Sequence, residues 1–367
     1  MATNQMQTGF FDSEKTTENK VLIAPLNWGL GHASRCIPVI QFLLRNNFTP
    51  VIASDGASLE LLKKEFPELQ TIQLPAYNIQ YAKFAFWTKW RLLFSLPSVY
   101  KAVQREQDIV KKEIDTNSYV GIISDNRFGV YSNKIPSVYM THQLQVFSGF
   151  TTFFTSKIHQ KIISKFDACW VPDGDTSHSL SGELSNAKGV NIPIEYLGNL
   201  SRLIFQKQVK QYDVVLLLSG PEPQRTLLET IFLKQFENFE GKVLLVQGLI
   251  EAEEKREIIS GIEVVNFLTS EAMQKILNSA DLVVARSGYS SMMDLAKLHK
   301  KVFFIPTLGQ EEQQYLAKNL EQKNIAPFCQ QEQFTIDKLL FVKEYSGFEK
   351  EYECLLHPKI LKVFKAV

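Results

Sequence analysis

No two of the four cysteines, Cys36, Cys169, Cys329 and Cys354, stand in a CxxC spacing. That argues against a zinc knuckle or a disulfide framework and fits a reducing cytoplasm. No apolar run approaches the roughly 20 residues of a membrane span. The first 19 residues are polar and lack the apolar core of a signal peptide, so a disordered tail is expected over 1–19. Neither sign of charge is in excess: the formal net charge is +1, which leaves no global electrostatic argument for nucleic acid. Acidic residues are missing locally, from 69–105 and from 126–166, and each stretch holds five Lys or Arg.

What the chain does have is a double series of strand-like apolar runs with helical patterns between them. The first series is 20–25, 50–54, 70–74, 119–124, 136–140, 168–172 and 194–197. After a polar stretch, 199–211, the second is 213–218, 242–247, 262–266, 281–285 and 301–306. Strands apolar throughout, alternating with helices, indicate parallel sheets covered on both faces. The expected fold is α/β, with two Rossmann-like parallel-sheet domains facing across a cleft, at 20–198 and 212–345. A linker at 199–211 joins them, and a helical tail follows at 346–367. Open parallel sheets bind ligands at the carboxyl ends of their strands, so the chemistry is sought there.

The first such end carries "LNWGLGHASR", 26–35. Gly29, Gly31 and Ser34 come close to the GxGxxG dinucleotide fingerprint, which keeps an NAD-dependent dehydrogenase among the readings. His32, at the first turn of the following helix, is placed to act as a general base: a helix N-terminus lowers an imidazole pKa and keeps it neutral. The alternative is a histidine beside a helix cap with no chemistry. Asp125-Asn126-Arg127 ends another strand. Asp125 is either the base or the group that orients it, or a turn-forming aspartate. His142, beyond the strand at 136–140, is read as an acceptor contact or a packed histidine. Asp173-Gly-Asp175 looks like a metal-binding DxD pair, but two carboxylates make a poor cage, and it is read as a turn.

The second series is richer. Arg286-Ser287-Gly288 forms a turn, and a helix starts near Tyr289, Ser290 and Ser291, where free N–H groups suit a diphosphate. Asp294 lies one turn on, on the same side as the serines, placed to grip ribose hydroxyls. Gln313 and Gln314 follow the strand that ends at Pro306, and amides of this kind read sugar hydroxyls.

In their order and spacing Arg286-Ser287-Gly288, Asp294, Pro306 and Gln313-Gln314 resemble glycosyltransferase family 28, the MurG-like enzymes. The wider pattern, with "WGLGHASR", "ISDNRFGVY" and "THQL", resembles a subgroup of GT-B glycosyltransferases of the Bacteroidetes type. Asp294 stands for the family's usual Glu, and Ala317 replaces its asparagine after the Gln pair. Ser219-Gly220, Gln247-Gly248 and Phe267-Leu268 are similar to further donor loops. The resemblance implies a GT-B fold and a metal-independent, inverting glycosyltransferase, with UDP-sugar as co-substrate and no cofactor. It also implies a hexose or N-acetylhexosamine, as in UDP-GlcNAc, moved to a hydroxyl, lipid-linked or otherwise. Gly29, Gly31, Asn126, Arg127 and His142 would then serve the acceptor. A UDP-sugar 2-epimerase shares the architecture, but its usual Gly-Thr-Arg-Pro first loop is absent. A non-catalytic sugar-nucleotide sensor is the third class.

The acid-free stretches place Phe84, Phe86, Trp87, Trp90, Phe94 and Tyr100 among Lys83, Lys89, Arg91, Lys101 and Arg105. Phe147, Phe150, Phe153 and Phe154 precede Lys157, Lys161 and Lys165. Aromatics and cations without acids suit an anionic membrane surface, the alternative being ordinary core helices with solvated lysines. The expected location is cytoplasmic, peripheral to the inner face of the cytoplasmic membrane, with no nucleic-acid partner.

Overall fold

A computed structural model describes residues 19–77, 85–147, 152–175, 179–349 and 352–364. The first sheet contains β1 (Lys20–Pro25), β2 (Thr49–Ser54), β3 (Thr71–Gln73), β4 (Tyr119–Asp125), β5 (Ser137–Met140), β6 (Ala168–Val171) and β7 (Ile194–Tyr196). The second contains β8 (Tyr212–Leu217), β9 (Val243–Val246), β10 (Arg256–Ile259), β11 (Ile262–Val265), β12 (Ala280–Ala285) and β13 (Lys301–Phe304). Strand order is β3-β2-β1-β4-β5-β6-β7 in one and β10-β11-β9-β8-β12-β13 in the other. Among the described strands all pairings are parallel except the β10–β11 hairpin. The apolar periodicity does not reveal β10, because this edge strand has one covered neighbour and exposes Ile258.

Among the described residues eight α-helices connect and cover the strands: α1 (Gly31–Arg45), α2 (Gly56–Glu65), α3 (Ala85–Thr116), α4 (Thr152–Ile163), α5 (Gln224–Phe236), α6 (Ser270–Asn278), α7 (Tyr289–Lys297) and α8 (Glu311–Gln322). In α1 the buried Ala33, Cys36, Ile37, Ile40 and Leu43 recur at the spacing of a helix face and cover Val21, Ile23 and Ile52 of the sheet. The tail after 352 forms 3-10 turns, Pro358–Phe364, in place of the expected α-helix. It returns to the first sheet, where the Phe364 ring meets those of Trp170 and Phe48 at centroid distances of 5.9 and 6.3 Å. Gly121 of β4 leaves the space: a Cβ there would lie 2.1 Å from the Phe364 ring.

The ends of β1 and β4 are braced from below by Arg127. Its guanidinium is fully buried, paired with Asp55 and, at 2.7 Å, with Glu106, and Nε donates to the Pro25 carbonyl at 2.9 Å. Glu106 also accepts from the Tyr77 hydroxyl at 2.8 Å and the Gly129 N–H at 3.0 Å. Burial raises the Glu106 pKa against the pull of Arg127, so the carboxylate depends on its partner to remain charged. Arg127→Ala leaves two carboxylates without their cation and is expected to cost about 3–5 kcal/mol of stability, measured as a lower urea midpoint. A midpoint within experimental scatter of wild type would show that the brace contributes nothing.

Candidate active site

The loops after β1, β4 and β5 face those after β12 and β13. Sheet order places β1, β4 and β5 side by side, so the residues at their carboxyl ends meet although the chain separates them widely. His32 Nδ1 lies 2.9 Å from Asp125 Oδ1. Asp125 is fully buried and receives Arg35 twice: Nε donates to Oδ2 at 2.7 Å and NH2 to Oδ1. Arg35 NH1 reaches His142 Nδ1 at 2.9 Å, and His142 Nε2 lies 2.8 Å from Glu312 Oε1 on the opposite domain. The His142 ring stacks on Tyr289, with centroids 4.2 Å apart and an 8° interplanar angle.

The charges follow from this geometry. Burial works against ionisation of Asp125, but Arg35 and then His32 outweigh it and hold the carboxyl well below the usual carboxylate range. Burial lowers the His32 pKa below its ordinary 6.5, the nearby Arg35 adds to this, and Asp125 opposes it. The imidazole is therefore neutral near pH 7. Arg35 NH2 is also 2.8 Å from His32 Nδ1, but that donor already has the carboxylate as acceptor. We assign the ring proton to Nδ1, donated to Asp125, which leaves Nε2 with the lone pair a base requires. The His32 side chain is 14 % exposed and that of Asp125 not at all.

The starts of α1 and α7 touch. Ser290 Oγ donates to the Gly31 carbonyl at 2.8 Å, and a Cβ on Gly31 would stand 2.9 Å from the same oxygen. Gly31 thus permits a close approach between the domains, while Gly29, at φ +82°, forms the turn. Asn126 occupies the left-handed region at φ 57° and accepts from the Tyr139 hydroxyl at 3.0 Å. Arg127 lies beneath the cleft floor, where its donors are engaged as described.

In the second domain Arg286 plays a comparable part. Its fully buried guanidinium bonds the carbonyls of Ile305, Pro306 and Gln224 and the side chain of Gln331, at 2.6–3.2 Å. Burial lowers its pKa to about 10. The side chain holds the turn, and Gly288 and the start of α7 are what it presents. Ser287 Oγ donates to the Gln313 carbonyl at 2.8 Å, and the Tyr289 hydroxyl donates to the Pro172 carbonyl at 2.8 Å. Ser291 is half-buried on the first turn of α7. Asp294 accepts from Ser201 of the 199–211 segment at 2.6 Å, and burial raises its pKa.

Gln313 is buried: Oε1 accepts from the Thr307 N–H at 2.8 Å and Nε2 donates to Gln310 at 2.6 Å. Gln314 forms a reciprocal amide pair with Gln330 at 2.8–2.9 Å. Gln247 donates to Glu229 at 2.6 Å. Gly220 and Gly248 both have positive φ, and half-buried Ser219 precedes the first of them. Phe267 and Leu268 are buried, with Lys64 of the first domain 5.0 Å above the Phe267 ring.

Sequence reasoning passed over Arg35 and Glu312. Arg35 ends the quoted "GHASR" and sits three residues after His32, on the same helical face, which was a usable signal. Glu312 immediately precedes the Gln pair, but nothing local marks it as a partner of His142. Asp173, read as a turn residue, accepts from the N–H groups of Gly174, Leu180 and Ser181 and from the hydroxyls of Ser179 and Ser181. Among the described residues no group of three or more His, Cys, Asp or Glu is arranged to hold a metal ion.

Residues 214–344 match the glycosyltransferase family 28 C-terminal domain. The chain is 21 % identical over 257 residues to a Haemophilus ducreyi protein, the UDP-N-acetylglucosamine–N-acetylmuramyl-(pentapeptide) pyrophosphoryl-undecaprenol N-acetylglucosamine transferase, covering 66 % of this chain and 67 % of that one. Among solved structures, Acinetobacter baumannii MurG superposes with a TM-score of 0.52 at 13 % identity, over 90 % of this chain and 92 % of the other. The spinosyn rhamnosyltransferase SpnG, in complex with thymidine diphosphate, gives 0.58 at 14 % identity, over 90 % and 93 %. With two parallel-dominated sheets and a match to the glycosyltransferase family 28 C-terminal domain on the second, the chain has the GT-B fold of these solved glycosyltransferases and resembles the MurG-like enzymes.

Proposed function

We propose that the protein transfers a hexose or N-acetylhexosamine from a UDP-sugar to an acceptor hydroxyl, with inversion and His32 as the base. The observation that carries this reading is the His32–Asp125 pair, set at the strand ends of the first sheet opposite the family 28 domain. The acceptor oxygen bonds to the anomeric carbon as its proton passes to His32 Nε2. The bond from that carbon to the diphosphate oxygen breaks on the opposite face, and UDP leaves. Negative charge then develops on the diphosphate, which the N–H groups at the start of α7 are suited to receive. Asp294 and the Gln313-Gln314 pair are proposed for ribose and sugar. Asp125 holds the imidazole proton on Nδ1 and, through its negative charge, favours the imidazolium that forms.

Titration with UDP is expected to show binding, and UDP release from a UDP-sugar to require an acceptor. His32→Ala is expected to lower turnover by about 10²–10⁴ while leaving UDP affinity unchanged. Because burial lowers the His32 pKa, the wild-type kcat/KM profile should lose activity only as pH falls below 6.5, as the base becomes protonated. Normal turnover by His32→Ala would remove His32 from the chemistry.

A lipid-linked acceptor and an anionic membrane surface are the finer part of the proposal. The support comes from α4, which exposes Phe153 at 65 %, Phe154 at 69 % and Ile158 at 64 %, beside exposed Lys157, Lys161 and Lys165. Lys157 Nζ lies 5.2 Å over the Phe153 ring. Lys83, Phe84, Phe150 and the side chains of Phe86, Trp87, Lys89, Trp90, Arg91 and Phe94 lie outside the described residues; Tyr100 on α3 is exposed. No described helix is long and apolar enough to cross a membrane. Each lysine near an anionic surface contributes about 1 kcal/mol, and salt screens it. The protein should co-sediment with phosphatidylglycerol vesicles at low salt. Combining Phe153→Ser, Phe154→Ser and Lys157→Glu should abolish most of that binding. Equal sedimentation of wild type and variant would place the membrane contact elsewhere or nowhere.

A further inference from the structure

Glu312 brings a charge to the first domain's histidines from across the cleft. The groups around them are Asp125, Arg35, Cys36 and His142 from the first domain, with Tyr289 and Glu312 from the second. Burial pushes the Cys36 thiol and the Tyr289 phenol up, so both are neutral. Asp125 and Arg35 meet at two points and cancel one another. The tautomer of His142 is then set by chemistry: a guanidinium only donates, so His142 Nδ1 is the acceptor for Arg35, and its Nε2–H donates to Glu312. With His142 Nδ1 accepting from Arg35 and His32 neutral, the cluster carries one net negative charge, and it resides on Glu312. Burial works against ionisation of Glu312, but His142, then His32 and Arg35, hold its pKa below the ordinary value.

We propose that Glu312 is a positioning residue that completes the base in trans, supplying the counter-charge for the imidazolium His32 becomes when it takes the acceptor's proton. Asp125 supplies part of that counter-charge, but the Arg35 guanidinium paired with it offsets it. Protonation of His32 takes the cluster from a net charge of −1 to zero, which offsets the cost of charging a buried ring. Glu312 stands on the first turn of α8, directly before Gln313-Gln314, so the base reaches full strength only when the donor domain is seated against the acceptor domain. This ties proton abstraction to the arrangement in which the donor sugar is held. It rests on the reading of His32 as the base.

Glu312→Gln tests it, since the amide keeps an oxygen for His142 Nε2–H and removes only the charge. In the full-length chain the imidazole C2 protons of the six histidines can be titrated by NMR, with His32 and His142 assigned through His32→Gln and His142→Gln. The His32 midpoint is expected to fall by about half to one pH unit in Glu312→Gln, and to return towards wild type in Glu312→Asp. In turnover, the acid limb should shift down with it, and kcat should fall about tenfold at unchanged donor KM. An unmoved or raised His32 midpoint overturns the inference, even if His32→Ala still abolishes transfer. A lowered midpoint in an enzyme whose turnover ignores His32→Ala upholds the coupling and removes the base assignment instead.

Discussion

The two-point pairing of Arg35 with Asp125 is the interaction on which the site depends. A fully buried carboxylate stays ionised only if a cation and hydrogen bonds replace its water. Arg35 supplies both, through Nε and NH2, and extends NH1 to His142. A single guanidinium thereby governs two imidazoles: it neutralises the aspartate that orients His32, and it fixes which nitrogen of His142 carries the proton. Lysine could not substitute, because its ammonium lacks the planar fork that engages a carboxylate edge and a third acceptor together.

Parallel-sheet topology makes this convergence possible. With β1, β4 and β5 adjacent, their carboxyl ends bring together residues 93 and 107 positions apart in the chain, as in the His32–Asp125 and Arg35–His142 contacts. The second sheet does the same with the turns after β12 and β13. Each set of loops rests on a buried arginine bonded to backbone carbonyls, Arg127 beneath the first and Arg286 beneath the second. These residues satisfy carbonyls that water cannot reach and keep the loops rigid, leaving backbone N–H groups and helix starts as the surfaces offered to a ligand.

Contact between the domains is polar and close as well as apolar. The carbonyl of Gly31 accepts from Ser290, the phenol of Tyr289 reaches the Pro172 carbonyl, and Glu65 on α2 accepts from the N–H and hydroxyl of Ser270 at the start of α6. Such directional bonds define one seating of the domains, in which groups of both share a single electrostatic environment.

Local sequence was sufficient wherever periodicity or a short motif carries the physics. Uniformly apolar runs such as VLIAP and DLVVA specify buried parallel strands. Glycines at 29 and 31 announce a turn into a helix, and the Arg286–Gln314 segment lies within the match to the family 28 C-terminal domain. Placement at strand ends was enough to single out His32, Asp125 and His142. The directions of the side chains were not legible. Arg127 and Arg286 lie in motifs that read as ligand contacts, yet they face inward, because the carbonyls and carboxylates they satisfy come from distant segments. Asp294 finds its partner, Ser201, in the interdomain segment 93 residues away. Glu312 had no signal at all, since its role exists only when α8 of one domain meets β5 of the other. Sequence alone determined most of the elements and their order, the edge strand β10 and the 3-10 tail excepted, because those follow from local burial patterns. Tertiary structure decided which charges pair and where each proton resides, because buried electrostatics depend on every group within a few ångströms, whatever its position in the chain.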